Sequence, residues 1–257
     1  MSDGTVERAP AYRRVGDEIS ARIKSGELAP GSRIPSEREL ALEQGISRMT
    51  ARAAVDLLAR CGLVERRERS GVFVARPKIE QSLDTVAGLS DQLGARGVVP
   101  GAEVLDARTV PSGELGDAEV VSRLGLSGED EVHVVLRVRT GDGEPLVLEE
   151  TYLPAGLWPG LLDEDLSGSL YALARRLYGL SVADARQELE PTPLDPGAAA
   201  MLGVGADLPA LRVTRTAWDA EGRAIEFARD LHRGDRITFV SETYGNQRGP
   251  AEGAKLK

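Results

Sequence analysis

Apolar residues recur at helical spacing near the N-terminus, and the polar residues between them carry helix-start signals. Ser36 stands three residues before Glu39, the spacing of a reciprocal capping box, and Gly45 is expected to end the helix that begins there. Ser47 is placed to cap a second helix directly afterwards. The apolar positions that would turn this second helix toward a core are Ala51, Ala54, Val55 and Leu58.

A β-hairpin is predicted next. The runs 63–67 and 72–75 have strand patterns, and they flank a turn at 68–71 with a basic tip. Two short helices followed by a hairpin are the elements of a winged helix-turn-helix. Arg48 and Arg52 share one face near the start of the second helix, where such a fold reaches base edges and where arginine can donate two hydrogen bonds to guanine. The alternative interpretation is an ordinary helical subdomain with solvated arginines.

From residue 85 onward, helical and strand patterns alternate. Two hairpins are predicted, 132–140 with 145–153 and 211–218 with 224–232, and a last strand covers 236–240. Helices are predicted at 89–96, 169–178 and 195–203. Two successive sets of helix, strand and hairpin predict a pseudo-repeated α+β domain around an antiparallel sheet.

Polar residues inside these strands suggest a site. Arg137 and Arg139 are two residues apart, so both project from one face of a strand. Glu149, on the partner strand, and Glu226, in the second hairpin, can lie on a related face. One interpretation is a solvated sheet face with cross-strand ion pairs. The other is a polar pocket, in which the arginines bind a phosphate or carboxylate bidentately and a glutamate accepts hydrogen bonds from hydroxyl or amine groups.

Length and charge support a division into two domains. A chain of 257 residues is longer than one small domain needs. We expect a first domain at 1–76, ordered from about residue 10, a linker at 77–84, a second domain at 85–245 and a disordered tail at 246–257. Residues 1–76 carry a net charge of +3 and the remainder −12. A basic module on an acidic body suits local, site-specific DNA contact rather than non-specific coating.

Several classes of chemistry are not expected. The single cysteine, Cys61, cannot form an intrachain disulfide, and we expect it to be a packed core thiol. Because no apolar run could span a membrane and the polar N-terminus lacks a secretory segment, we expect a soluble, cytoplasmic protein with no membrane partner. His133 and His232 have no zinc-ligand spacing, and no phosphate-binding glycine loop or nucleophile elbow is present. We therefore expect no metal, no cofactor and no catalytic residue, and a structural role for His133.

Residues 12–76 resemble the winged helix-turn-helix of the GntR family of bacterial transcription regulators. The matching motifs are 23–31, 33–40, 45–48, Arg52 and 62–64. The resemblance implies DNA contacts at Arg38, Ser47, Arg48, Met49, Thr50 and Arg52, with Ser70 and Gly71 at the wing tip near the minor groove. Met49 and Ala51 stand where the family often has Thr and Val, and the change at Met49 bears on which base is read.

Residues 85–245 resemble the UTRA ligand-sensing domain of the HutC subfamily, whose fold is similar to that of chorismate lyase and whose pocket binds small anionic inducers. The matching motifs lie at 136–139, 143–154, 169–171, 202–203, 225–226 and 233–239. The resemblance implies ligand contacts at Leu89, Ser90, Arg137, Arg139, Glu149, Ser169, Glu226 and His232, with backbone amides of Leu89 and Ser90 at an anionic group. His232 stands where many members have Tyr, which argues against a sugar-phosphate inducer.

These observations together predict an α+β chain, with an N-terminal winged helix-turn-helix and a C-terminal antiparallel-sheet domain of chorismate-lyase-like (UTRA) architecture. The expected function is that of a homodimeric repressor, released from an inverted-repeat operator in double-stranded DNA by a small anionic metabolite. One alternative is a constitutive repressor whose C-terminal domain only dimerises. A remote alternative is a chorismate-lyase-like enzyme.

Overall fold

The computed structural model describes residues 10–67 and 70–243, and the chain divides into two units between Pro77 and Lys78. Residues 68–69 of the expected wing turn and the expected tail at 246–257 lie outside the described residues. Among the helices of the described ranges, none is long and apolar enough to cross a membrane.

Over the residues described up to Pro77, the N-terminal unit consists of three helices and a hairpin. Its elements are α1 (Ala11–Lys24), α2 (Glu37–Glu43), α3 (Arg48–Arg60), β1 (Val64–Arg67) and β2 (Gly71–Val74). β1 and β2 pair antiparallel. The predicted apolar face of α3 is buried, and it packs against Val15 and Ile19 of α1, Leu40 of α2 and Val74 of the hairpin. This arrangement is the predicted winged helix-turn-helix.

Both predicted helix caps are present. The Ser36 hydroxyl accepts a hydrogen bond from the Glu39 amide at 3.3 Å, and the Ser36 amide donates to the Glu39 carboxylate at 2.7 Å. The Ser47 hydroxyl accepts from the Thr50 amide at 3.1 Å. Because these bonds satisfy amides that the first turn leaves free, they fix where α2 and α3 begin.

Within residues 78–243, the C-terminal unit forms a six-stranded sheet, with helices between the strands and a small second sheet. The helices are α4 (Leu89–Gly94), α5 (Ala118–Leu124), α6 (Leu170–Leu173), which continues as a π-helical turn over Ala174–Tyr178, and α7 (Pro196–Met201). The strands are β3 (Ile79–Ser82), β4 (Pro100–Pro111), β5 (Glu131–Gly141), β6 (Glu144–Pro154), β7 (Asp184–Pro193), β8 (Pro209–Trp218), β9 (Ala224–Arg233) and β10 (Ile237–Val240).

The six-stranded sheet has the order β4-β5-β6-β9-β8-β7, and all its neighbours are antiparallel. Its halves correspond, since α4-β4-α5-β5-β6 and α6-β7-α7-β8-β9 contain the same series of elements. The predicted pseudo-repeated α+β domain is therefore confirmed. β6 and β9 meet at the centre of the sheet, so each hairpin brings its polar residues to the middle of one sheet face.

Residues 77–84, expected to form a linker, differ from that expectation. Ile79–Ser82 form β3, which pairs in parallel with β10, and Gln81 is buried. The partner strand lies at the far end of the domain in sequence, so the local pattern carries no sign of this pairing.

The expectation that Cys61 is a packed core thiol is wrong, because this residue is exposed. It lies three residues after the buried Leu58, so a longer helix would have placed it on the same face. α3 instead ends at Arg60, and the chain turns through Gly62, whose φ of 68° is left-handed. This turn removes the thiol from the core.

Candidate DNA-binding face and ligand pocket

The start of α3 presents cationic side chains to solvent. Arg48 and Arg52 are exposed, as is Arg38 of α2, and no side chain within the described ranges forms a hydrogen bond or ion pair with these three guanidinium groups. Arg66 differs, because it donates to Glu37 at 2.9 Å and to Asp56 at 2.7 Å. An arginine without an acidic partner remains available to a phosphate or a base edge.

A cleft on this face brings together Arg38 and Arg48 with Gly71 of the wing and with Arg33, which is not among the predicted contacts. A Cβ added at Gly71 would lie 3.0 Å from the Nε of Arg33, and the φ of 116° there is unfavourable for other residues. Gly71 therefore allows Arg33 to lie against the wing. Arg33 begins the motif 33–40 that carries the family resemblance, and this motif was the available signal for it.

The other predicted DNA contacts lie outside the lining of this cleft. Met49 is 72% exposed. The hydroxyls of Ser47 and Thr50 lie 2.8 Å apart, and both stabilise the first turn of α3. Ser70 is exposed in the hairpin turn. The structure thus groups Arg38, Arg48 and Gly71, and it gives Ser47 a capping role.

One face of the main sheet carries a row of buried charges. Arg137 of β5 is paired in register with Glu149 of β6, and Glu149 with Asp230 of β9. The exposed fractions are 1% for Arg137, 6% for Glu149 and 2% for Asp230. These values rule out a solvated sheet face. Charges removed from water in this way must be balanced by one another or by a ligand.

Two arginines hold Glu149. Arg137 donates from Nε to Oε2 at 2.9 Å and also from Nη2, and Arg139 donates from Nη1 to Oε1 at 3.1 Å. Burial disfavours the charged form of Glu149, but the positive charges of Arg137, Arg139 and Arg215 outweigh it and lower the pKa to about 2. Glu149 is therefore ionised at neutral pH.

The same two arginines bind the segments that cover the sheet. Arg137 donates from Nη1 to the carbonyl oxygens of Leu166 at 2.7 Å and Gly168 at 3.0 Å. Arg139 donates from Nη2 to the hydroxyl of Ser90, in α4, at 2.6 Å. The sheet charges and the covering segments therefore form one network.

The second half of the sheet supplies a matching pair. Arg215 of β8 donates from Nη2 to Oε1 of Glu226 at 3.0 Å, and the hydroxyl of Tyr171 donates to the same carboxylate. Arg215 and Tyr171 are not among the predicted residues. The pseudo-repeat was the available signal for Arg215, because the run LRVTRT at 211–216 resembles LRVRT at 136–140.

Asp230 links the two halves. Its Oδ2 lies 3.3 Å from Nη1 of Arg215, and its Oδ1 has no hydrogen-bond partner among the described residues. Burial raises the pKa of Asp230, and although Arg215 opposes this rise, the negative charges of Glu149 and Glu226 add to it, giving a pKa of about 8.

His232 lies beside Asp230, with Nε2 at 4.0 Å from Oδ2. Burial, together with the positive charge of Arg215, lowers its pKa to about 3, so the ring is neutral at neutral pH. Neither ring nitrogen has a hydrogen-bond partner within the part of the chain that the structure describes. The ring packs edge-on against Phe239, with centroids 5.0 Å apart.

Two cavities over this sheet face share Leu89, Glu149, Tyr171 and Arg215 in their linings. The arginine cavity, of about 20 Å³, is also lined by Ser90, Arg137, Arg139, Ser169 and Glu226. The aspartate cavity, of about 40 Å³, is also lined by Gln81, Gln187, Asp230 and His232. All eight residues predicted to contact a ligand therefore line one cavity or the other.

His133 has a separate, structural environment. Its Nδ1 lies 2.8 Å from the hydroxyl of Thr109, and its Nε2 lies 3.0 Å from the carbonyl oxygen of Trp158. Both ring nitrogens are thus used inside the protein. The described residues contain no group of three or more His, Cys, Asp or Glu side chains that could hold a metal ion.

Comparisons with known proteins identify both domains. Residues 11–74 match the family described as bacterial regulatory proteins, gntR family, and residues 95–238 match the UTRA domain. The chain is 35% identical to the HTH-type transcriptional repressor NagR of Bacillus subtilis (strain 168), over 90% of this chain and 93% of that protein. It is 30% identical to the histidine utilization repressor of Pseudomonas putida, over 89% of this chain and 90% of that protein. The crystal structure of PhnF from Mycobacterium smegmatis matches with a TM-score of 0.63 at 32% identity, over 90% of this chain and 100% of that chain.

The fold and the two sites define a ligand-responsive, DNA-binding regulator of transcription. The chain belongs to the GntR family, and its UTRA domain assigns it to the HutC subfamily.

Proposed function

We propose that this protein is a homodimeric repressor, which leaves its operator when a small anionic metabolite enters the arginine and aspartate cavities. The observation that carries the proposal is the buried row of Arg137, Glu149 and Asp230 beneath these cavities. In and beside this row, Oδ1 of Asp230 and both ring nitrogens of His232 have no hydrogen-bond partner among the described residues, and buried polar atoms without partners cost stability. A domain that only dimerises gains nothing from such unpartnered atoms, whereas in a ligand-binding domain they can form hydrogen bonds with the ligand.

The DNA side of the proposal assigns roles by position. Arg48 and Arg52 read base edges in the major groove from the first turns of α3, and Arg38 binds phosphate. Ser70 and Gly71 lie at the minor groove. Two copies related by a twofold axis read an inverted repeat, since a symmetric dimer presents the same face twice. The protein acts in the cytoplasm, where a bacterial operator is found.

The ligand side rests on the chemistry of the arginines. Arg137, Arg139 and Arg215 line the cavities. Arg137 uses four of its five N–H groups inside the protein, whereas Arg139 and Arg215 each keep two that their bonds to neighbouring groups do not use. A guanidinium group binds carboxylate or phosphate through two parallel hydrogen bonds. The anionic group of the effector is therefore assigned to the arginine cavity.

The coupling to DNA follows from the order of the chain. Residues 81–92 supply Gln81, Ser82, Leu89 and Gln92 to the lining of the aspartate cavity, and they follow the DNA-binding unit directly in sequence. The side chain of Gln92 holds this segment by accepting from the Ser82 amide at 3.0 Å and donating to the Ala87 carbonyl oxygen at 3.1 Å. A ligand that favours another conformation of this segment would shift the population of DNA-binding states.

The test is thermal unfolding of the full chain with sugar phosphates, amino-acid-derived acids such as urocanate, and fatty acids. A compound at about a hundred times its dissociation constant should add roughly 2.7 kcal/mol to the free energy of unfolding. Arg139→Gln should abolish that gain. Arg212→Gln is the matched control, because Arg212 lies on the same sheet but outside the linings of both cavities.

Stabilisation that persists in Arg139→Gln would place the ligand elsewhere and contradict the assignment. If no compound of the three classes stabilises the chain, a constitutive repressor with a purely dimerising C-terminal domain becomes the better explanation.

A further inference from the structure

Glu149, Glu226 and Asp230 are the buried carboxyl groups on this sheet face, and Asp230 has the fewest contacts with arginine among these three. Glu149 takes bonds from both Arg137 and Arg139. Arg215 gives Nε and Nη2 to Glu226, at 3.4 and 3.0 Å, and reaches Asp230 only through Nη1 at 3.3 Å. Asp230 also lies opposite Glu149 in the strand register, and adjacent buried carboxylates do not readily ionise together.

The groups around Asp230 come from every neighbouring element. They are Glu149 on β6, Arg215 on β8, Arg139 on β5, Tyr171 on α6, and Glu226 and His232 on its own strand. Apart from Asp230, this row contains three arginines (Arg137, Arg139 and Arg215) and two glutamates (Glu149 and Glu226), so its basic side chains exceed its acidic ones by one charge. An ionised Asp230 and an anionic effector would compete for this charge. An anion in the arginine cavity therefore favours the neutral form of Asp230, whose pKa is already raised to about 8.

The unpartnered atoms define what the aspartate cavity can bind. A protonated carboxyl and a neutral imidazole each offer both a hydrogen-bond donor and an acceptor. Asp230 Oδ1 and both ring nitrogens of His232 lack partners among the residues that the structure describes, and both side chains are at least nine-tenths buried. The cavity measures about 40 Å³. Since a water molecule needs roughly 10–15 Å³, only a small group fits.

We propose that Asp230 is a specificity-determining residue that holds a proton at neutral pH, so that the aspartate cavity accepts an uncharged hydrogen-bonding group of the effector, such as a hydroxyl, and rejects an ammonium group. This inference rests on the proposed function, because it concerns the other end of the same ligand. An ammonium group would have no free carboxylate here, and it would lie close to the positive charge of Arg215.

The first experiment needs no ligand. In the full chain labelled with ¹³C-aspartate, one carboxyl carbon should titrate near pH 8 by NMR, and this resonance should be missing in Asp230→Asn. Glu149→Gln should move the midpoint to lower pH, because it removes the neighbouring negative charge; this shift identifies the resonance even if Asp230→Asn does not fold. The proposal is overturned if every aspartate titrates near its ordinary value of about 4.

The second experiment compares L-histidine with imidazole lactate, which has a hydroxyl in place of the ammonium group. By calorimetry at pH 7, imidazole lactate should bind about ten times more tightly. Its affinity should fall as the pH rises through about 8 in the natural protein but not in Asp230→Asn, since asparagine is uncharged at any pH. Tighter binding of histidine overturns the proposal. If neither compound binds but the NMR titration lies near pH 8, the protonated Asp230 stands and the proposed effector class fails.

Discussion

At the scale of single residues, His232 shows how burial makes stability depend on pH. The pKa of an unfolded histidine is about 6.5. In the folded protein it is lowered to about 3 by burial and by Arg215. Between about pH 6.5 and pH 3, His232 is therefore protonated in the unfolded chain but not in the folded chain. As the pH falls through this range, the free energy of unfolding decreases by up to roughly 1.4 kcal/mol per pH unit.

His232→Phe should remove this loss, because phenylalanine does not titrate and keeps the edge-on contact with Phe239. We expect the variant to gain about 2 kcal/mol over the natural protein on moving from neutral pH to about pH 5. The measurement is urea unfolding followed by tryptophan fluorescence, since Trp158 and Trp218 both belong to the C-terminal unit.

His133→Phe serves as the comparison. His133 uses both ring nitrogens in hydrogen bonds, so its replacement should destabilise the protein rather than stabilise it. If the advantage of His232→Phe is the same at both pH values, His232 is not kept neutral by its site.

The sequence could predict those site residues whose position follows from local geometry. Arg137 and Arg139 share a strand face because side chains alternate, and Glu149 follows from the hairpin that joins its strand to theirs. Asp230 could not be predicted as a site residue, because its position beside Glu149 depends on the non-local pairing of β6 with β9. Tyr171 could not be predicted for a similar reason, since it lies on a helix and contacts Glu226, which is 55 residues away in sequence.

At the scale of secondary-structure elements, the capping box of α2 gives a second test. Ser36→Ala removes an acceptor for the Glu39 amide and should lower the stability of the N-terminal unit by about 1 kcal/mol. Unfolding should be followed by far-UV circular dichroism, which reports the long helices α1 and α3, and by tryptophan fluorescence, which reports the other unit. Only the unfolding transition of the N-terminal unit, followed by circular dichroism, should shift to lower denaturant concentration.

Ser25→Ala is the control for this test. The Ser25 hydroxyl donates to the Arg22 carbonyl oxygen at the end of α1, so its removal leaves no helix amide without an acceptor. Equal decreases in stability in the two variants would mean that the cap contributes nothing beyond the removal of a surface hydroxyl.

The sequence predicted the inner strands of the sheet and missed its edges. β5, β6, β8 and β9 were found because each is flanked by two strands. β5, β6 and β9 are largely buried, and β8 is buried at four of its ten positions, which favours apolar or β-branched residues. β4 and β7 each have one neighbour, and most of their positions are not buried. Their residues therefore carry the polar composition of a surface, with prolines that edges tolerate.

At the scale of the whole molecule, positive charge is concentrated in one domain. Residues 1–76 carry +3, against −12 for the rest of the chain. The acidic remainder repels DNA, so we expect operator binding to depend on a few exposed arginines that bind phosphate. Removing one such arginine from the interface should reduce the slope of the logarithm of the operator association constant, plotted against the logarithm of the salt concentration, by about 0.9.

This relation allows the subunits on DNA to be counted. With an operator selected from random duplexes by the full chain, Arg38→Ala should reduce the salt slope by about 2, because the substitution removes one phosphate-binding group from each subunit of a symmetric dimer. Arg66→Ala should leave the slope unchanged, since Arg66 is already paired with Glu37 and Asp56. A reduction of only about 1 for Arg38→Ala would mean that one subunit binds the operator, and the homodimeric reading of an inverted repeat would have to be abandoned. No reduction at all would show that the exposed guanidinium group of Arg38 does not meet a phosphate.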